Sequence, residues 1–234
     1  MELGLPEVGR SSLGRPVYAG QIADGTGRPV LVVAGVHGNE PASVEAVLAL
    51  CANLRGRSAG PQGGSGSATQ GSSGPGRRAV WVMPAMNPDG VLANTKDSAR
   101  GVDLNRNFPA RSFTVEHRPG YFPGPAPLSE PESRALAALV DALDPEGVVA
   151  VHAPFACVNY DGPAARWAAE VSAASGWPVR EDIGYPTPGS LGSWLGRDRD
   201  VPVLTLELPP GAYAHFRAPA QAALQTAINC GRIR

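Results

Sequence analysis

The chain has 234 residues, of which 43% are hydrophobic and 18% charged, and its formal net charge is −1. That length and apolar content suffice for one substantial core, and the near-zero charge excludes a surface built mainly to attract nucleic acid or an acidic membrane. Three widely spaced cysteines, Cys51, Cys157 and Cys230, make neither a Cys-x-x-Cys pair nor a disulfide framework, which favours a reducing compartment, the cytoplasm.

The first residues, Met1 to Glu7, lack a basic region followed by an apolar run, so no secretory signal is expected. Nor does the sequence contain a stretch of about 18 apolar residues that would span a bilayer. Residues 30–34 (Val-Leu-Val-Val-Ala) read as a buried strand that delivers His37-Gly38-Asn39-Glu40 to its end, where open α/β sheets carry ligand sites. Residues 41–54 then read as a helix, with Pro41 in the first turn, where a missing N–H costs nothing, and Ala42, Val44, Val47, Leu48 and Leu50 as apolar surface. From 56 to 78 the composition falls to Gly, Ser, Pro, Arg, Ala, Gln and Thr. Such a segment is expected to be a flexible insertion between a helix and the next strand of one domain spanning 1–234.

Residues 79–83 predict the next strand, ended by Pro84, and Asn87-Pro88-Asp89-Gly90 a turn. Residues 130–143 predict a helix with Ser129 as its cap and Pro131 at its start. A strand over 147–151, a helix over 164–175, a strand over 201–208 and a closing helix over 219–228 complete the series. Short apolar runs alternating with helices predict an α/β domain, a mixed and mostly parallel sheet flanked by helices. No Gly-x-Gly-x-x-Gly follows the first strand and no Gly-Lys-Ser/Thr loop occurs, which argues against nucleotide binding.

Alone, His37-x-x-Glu40 is a weak signal that a polar turn or a helix cap would also produce. His152 near the end of one predicted strand and Glu207 within another are each explicable as a hydrogen-bonded or ion-paired core residue. Together the four supply two histidines and a carboxylate for zinc plus a second carboxylate, the composition of a catalytic zinc site with one position open for water. Glu207 would then take the proton of that water and deliver it to a leaving amine. The polar run from Asp103 to Phe108 is either a solvated loop with local Asp–Arg pairs or a binding loop. In the second case Arg106 can grip a substrate carboxylate in two-pronged fashion, with Asn105 adding hydrogen bonds. A cation at Lys96 or Arg100 would stabilise the developing oxyanion.

On these residues the chain resembles the zinc carboxypeptidase family, and within it the bacterial murein peptide amidase branch. The resemblance is carried by Gly35 to Glu40, Asn87 to Gly90, Gly101 to Pro109, His152-Ala153-Pro154, Tyr185 to Ser190 and Glu207 to Pro210. It implies one zinc ion per chain held by His37, Glu40 and His152, with Glu207 as general base and acid and Asn105 and Arg106 on the substrate's free carboxylate. It also implies a small-peptide partner, the tripeptide L-Ala-γ-D-Glu-meso-diaminopimelate, cleaved before the diaminopimelate in the cytoplasm as part of cell-wall recycling. Two features depart from the family. Lys96 stands where an arginine usually polarises the scissile carbonyl, and the substrate-capping tyrosine has no secure counterpart, Tyr185 being the available one. The alternatives are an N-acyl amino acid deacylase of the aminoacylase or succinylglutamate desuccinylase type, which shares the zinc architecture, and a catalytically silent peptide binder. Oligomeric state is left open by the sequence.

Overall fold

A computed structural model describes residues 3–58, 78–231 and 233. A short hairpin comes first, β1 (Glu7–Arg10) and β2 (Pro16–Tyr18), followed by β3 (Gly20–Ala23), β4 (Val30–Val33) and α1 (Pro41–Ser58). Next come β5 (Val80–Met83), α2 (Pro88–Ala93), a 3-10 turn at Leu104–Arg106, α3 (Pro131–Leu143), β6 (Gly147–His152) and β7 (Cys157–Asp161). The chain then adds α4 (Ala165–Ser175), β8 (Val179–Arg180), a π-helical turn at Ser193–Arg197, β9 (Val203–Glu207) and α5 (Arg217–Asn229). Seven strands form one mixed sheet in the order β3-β5-β4-β6-β9-β7-β8. Its centre, β5-β4-β6-β9, is parallel, whereas β3 and β7 run antiparallel to their neighbours β5 and β9. The predicted mixed, mostly parallel sheet with flanking helices is the observed architecture. No helix among the described residues is long and apolar enough to cross a membrane.

The period-two pleat explains why the central strands are apolar throughout. Val30, Val32, Val149, Val151, Leu204 and Leu206 face a core shared with α1, α4 and α5. Leu31, Val33, Val148, Ala150 and Val203 face the opposite core, closed by α3, Leu104, Phe108 and Trp194. With both faces covered, every position of a central strand sheds apolar surface. His152 and Glu207 lie directly opposite each other in the β6–β9 register. They continue the second face past its apolar floor, so the site grows out of that core.

Several boundaries differ from the sequence reading. The first helix does not stop at Leu54 but runs through Gly56 to Ser58, so the three leading residues of the expected insertion are helical. The rest of that insertion, 59–77, lies outside the described residues, between α1 and β5 as expected. Leu48, expected to supply core surface, is 40% exposed. Ser129 does not cap α3. Glu130 occupies the cap position without a side-chain cap bond, while the Ser129 hydroxyl donates to Glu130 Oε1 and accepts from Asn107 Nδ2. The Asn-Pro-Asp-Gly turn is instead the start of α2, with Asn87 Oδ1 accepting from the Gly90 amide and Pro88 in the first turn. Strands β1–β3, β7 and β8 had no counterpart in the sequence reading.

Candidate metal centre

Tight backbone approaches assemble the site. Gly35, at φ +61°, turns the chain after β4 into a left-handed conformation suited to glycine. A Cβ on Gly38 would lie 1.9 Å from the Gly90 carbonyl carbon, so the loop carrying His37 docks on α2 only because residue 38 has no side chain. Below them, Asp89 is buried and accepts bonds from Ser11 Oγ, the Leu13 amide and Arg15 Nη1, tying α2 to the β1–β2 turn.

One donor atom from each of His37, Glu40 and His152 lies within 4.8 Å of the others. His37 Nδ1 is 2.8 Å from Glu40 Oε1, and His152 Nδ1 is 3.1 Å from Glu40 Oε2. The other ring nitrogen of His37 is 3.1 Å from Asp103 Oδ1. A carboxylate accepting from the far nitrogen leaves the Nδ1 lone pair for a metal once the Nδ1 proton is lost, the arrangement usual behind a metal-ligating histidine. Burial lowers the affinity of His37 for a proton, but its bonds to Asp103 and Glu40 outweigh this and raise its pKa to about 9. Burial would raise that of Glu40, but the two histidines pull it down to about 2. Two imidazoles and a carboxylate converging in this way match the donor set of zinc, and a cation there would displace the protons the three groups now share.

Glu207 is 5% exposed and stands apart from the cluster's hydrogen bonds. Its Oε2 is a buried atom with no hydrogen-bond partner among the described residues. Burial, reinforced by the Glu40 charge and only partly opposed by His152, pushes its carboxyl above the usual range. A carboxylate with a free oxygen and a raised proton affinity is suited to proton transfer.

The cavity over this cluster is lined by Lys96, Asn105, Arg106 and Tyr185 as well as His37, Glu40, His152 and Glu207. Lys96 Nζ donates to Asp103 Oδ2 at 2.5 Å and to the Gly120 carbonyl at 2.7 Å, and sits 4.1 Å from the centre of the Tyr121 ring. Arg106 is buried, with Nη1 on the Asn105 carbonyl and its guanidinium 5.2 Å from the same ring. Asn105 Oδ1 accepts from the Leu191 amide, which fixes the side chain at the cavity wall. Gly189 lets the loop after Tyr185 close on this strip, because a Cβ there would meet the Arg106 carbonyl at 2.2 Å. Tyr185 packs 5.8 Å from Tyr121, and burial pushes its hydroxyl up to about 12.

Arg100 is not brought to this cavity. It is largely exposed and lies 3.8 Å from Glu130 on the far side of its loop. Two contributors went unread in the sequence. Asp103 joins His37 to Lys96, and its signal was present as a carboxylate two residues before Asn105. Tyr121 lies in an irregular stretch without periodicity, and nothing in its neighbours marks it.

The zinc carboxypeptidase pattern matches residues 4–162, more than half of the chain. The chain belongs to the zinc carboxypeptidase family. Murein peptide amidase A of Escherichia coli K12 is 34% identical over 221 residues, covering 88% of this chain and 82% of that protein. The crystal structure of murein-tripeptide amidase MpaA from Escherichia coli O157 superposes with a TM-score of 0.75 at 30% identity, covering 96% of this chain and 92% of that one. Bovine thrombin-activatable fibrinolysis inhibitor shares the fold at a TM-score of 0.76 and 16% identity, covering 96% of this chain and 88% of that one. As a member of this zinc-dependent family the chain is a metallohydrolase of the peptidase type.

Proposed function

We propose that this enzyme hydrolyses the γ-D-glutamyl–meso-diaminopimelate bond of murein tripeptide, with His37, Glu40 and His152 holding one zinc ion. The observation that carries the reading is the convergence of this donor set, the unpartnered oxygen of Glu207 and the buried Arg106 on one cavity. The likeness to murein peptide amidases over most of both chains supports the substrate class. Three buried cysteines outside any disulfide suit a reducing cytoplasm, where peptides recovered from the wall would be met.

Zinc, when bound, would acidify a water molecule and polarise the scissile carbonyl. The protein's own residues do the rest. Arg106 and Asn105 hold the substrate's free carboxylate and so fix which bond is presented. Glu207 accepts the proton of the attacking water and returns it to the departing nitrogen. Lys96, anchored by Asp103, supplies positive charge beside the carbonyl oxygen as it becomes anionic. Tyr185 closes the cavity against solvent.

The decisive assay supplies zinc-loaded protein with L-Ala-γ-D-Glu-meso-diaminopimelate and measures free diaminopimelate. Faster hydrolysis of N-acyl amino acids, with the tripeptide left intact, would replace this reading with the deacylase one. A narrower expectation concerns Lys96. Lys96→Met should lower kcat by about 100-fold, in the range for loss of an oxyanion partner, whereas Lys96→Arg should keep or raise it. An undiminished kcat in the methionine variant would remove Lys96 from the reaction.

A further inference from the structure

The cavity continues past the metal cluster along the sheet, and the register gives its depth. His152 and Glu207 pair in the first row, and Ala150, Thr205 and Asn159 form the second. Asp161, opposite Val203, begins the third. Alternate residues of a strand share a face, so Asn159 and Asp161 line the same wall as Thr205 and Glu207. Asp161 lies four residues along β7 from Cys157, the register partner of Glu207, which is about 13 Å of strand.

Asp161 is not alone at that end. Its Oδ1 accepts from Arg197 Nε at 2.7 Å, and both side chains line the cavity. The aspartate side chain is only 10% exposed, the arginine 63%. Room for the carboxylate is made by Gly192, on which a Cβ would lie 2.0 Å from Asp161 Oδ2. The other acids on the wall have local partners, Glu181 with the Tyr160 hydroxyl and Asp182 with the Gly184 amide. They add negative potential beside the pair, whereas Arg197 is the cation paired with Asp161.

We propose that the Asp161–Arg197 pair is the specificity element for a leaving residue whose side chain ends in an amino-acid head, Asp161 taking the ammonium and Arg197 the carboxylate. This rests on the murein-tripeptide reading above. Diaminopimelate carries such a head four carbon–carbon bonds, about 5 Å, from its own α-carbon. With the scissile carbonyl at the first row and the side chain running down the wall, the head arrives between the second and third rows, within reach of both partners. The head's two opposite charges replace one internal ion pair with two, so neither Asp161 nor Arg197 is left unpaired. An analogue lacking either charge leaves one of them without its new partner, which is how hydrogen-bonding sites reject near relatives.

The test compares kcat/KM for L-Ala-γ-D-Glu-X with X as meso-diaminopimelate, L-lysine (ammonium only) or L-2-aminopimelate (carboxylate only). The wild-type enzyme should favour diaminopimelate over both by roughly 10- to 100-fold, the range for a hydrogen bond to a charged group. Arg197→Gln should bring diaminopimelate down toward lysine, with no comparable loss on the lysine peptide, because it also frees Asp161 of its internal partner. Asp161→Asn should bring it down toward aminopimelate. Gly192→Ala keeps every charge but displaces the Asp161 carboxylate, and should reduce discrimination in the same direction as Asp161→Asn. Equal wild-type rates on the three peptides, or variants that slow all three alike, would overturn the assignment of this pair while leaving the peptidase reading intact. A wild-type enzyme that cleaves none of them would overturn both.

Discussion

Glu207→Gln is expected to retain zinc at wild-type stoichiometry and to lose about 1,000-fold in kcat, or about 4 kcal/mol of transition-state stabilisation. The substitution keeps the shape of a side chain that is 5% exposed and has no ion-pair partner among the described residues, so folding should be little affected. It removes only the ability to gain and release a proton. Because Glu207 Oε2 has no hydrogen-bond partner among the described residues, no structural bond at that atom is lost with the charge. Metal content measured by elemental analysis and kcat measured on the tripeptide separate the two effects. Full metal content with a kcat within a few-fold of wild type would dismiss Glu207 as the proton carrier.

His152→Ala should give the opposite signature, with loss of metal first and of activity as its consequence. Changes to groups that merely orient a ligand weaken metal by about 10- to 100-fold, and removal of a donor should exceed that. The loss is expected to show as sub-stoichiometric zinc after dialysis and as the disappearance of the zinc-dependent rise in Tm that the wild-type protein should display. Near-normal zinc affinity in this variant would mean that the ion sits elsewhere. His152 is buried at the end of β6, where Glu40 Oε2 also accepts from the Ala153 amide. Replacing it therefore leaves the Glu40 carboxylate still anchored by the backbone, and the fold itself should survive.

Much of this protein is written in local pattern. Apolar runs at 30–34, 79–83, 147–151 and 201–208 mark the four parallel strands, with β6 running one residue further to His152, because both faces of a central sheet demand apolar residues at every position. The exceptions to that demand, His152 and Glu207 at the ends of β6 and β9, stand out for the same reason. The outer strands are less legible. β7, Cys-Val-Asn-Tyr-Asp, mixes buried and half-exposed positions, and β8 is only two residues, both exposed. Asn-Pro-Asp-Gly was ambiguous by nature, since asparagine followed by proline opens a turn and caps a helix equally well.

The sequence by itself determined the apolar core of the sheet and singled out His37, Glu40 and His152 as candidate metal donors and Glu207 as a candidate proton carrier, because these readings depend on residue type and on position at or just beyond strand ends. Only the tertiary structure decided which cation lines the cavity. Lys96 and Arg100 are four residues apart on one loop, and the choice rests on what that loop packs against: Asp103 and Tyr121 hold Lys96 inward, and Glu130 draws Arg100 outward. The same holds for Asp161 and Arg197, 36 residues apart. Their meeting depends on β7 running antiparallel beside β9 and on Gly192 leaving space for a carboxylate, and neither condition is a property of any local stretch of chain.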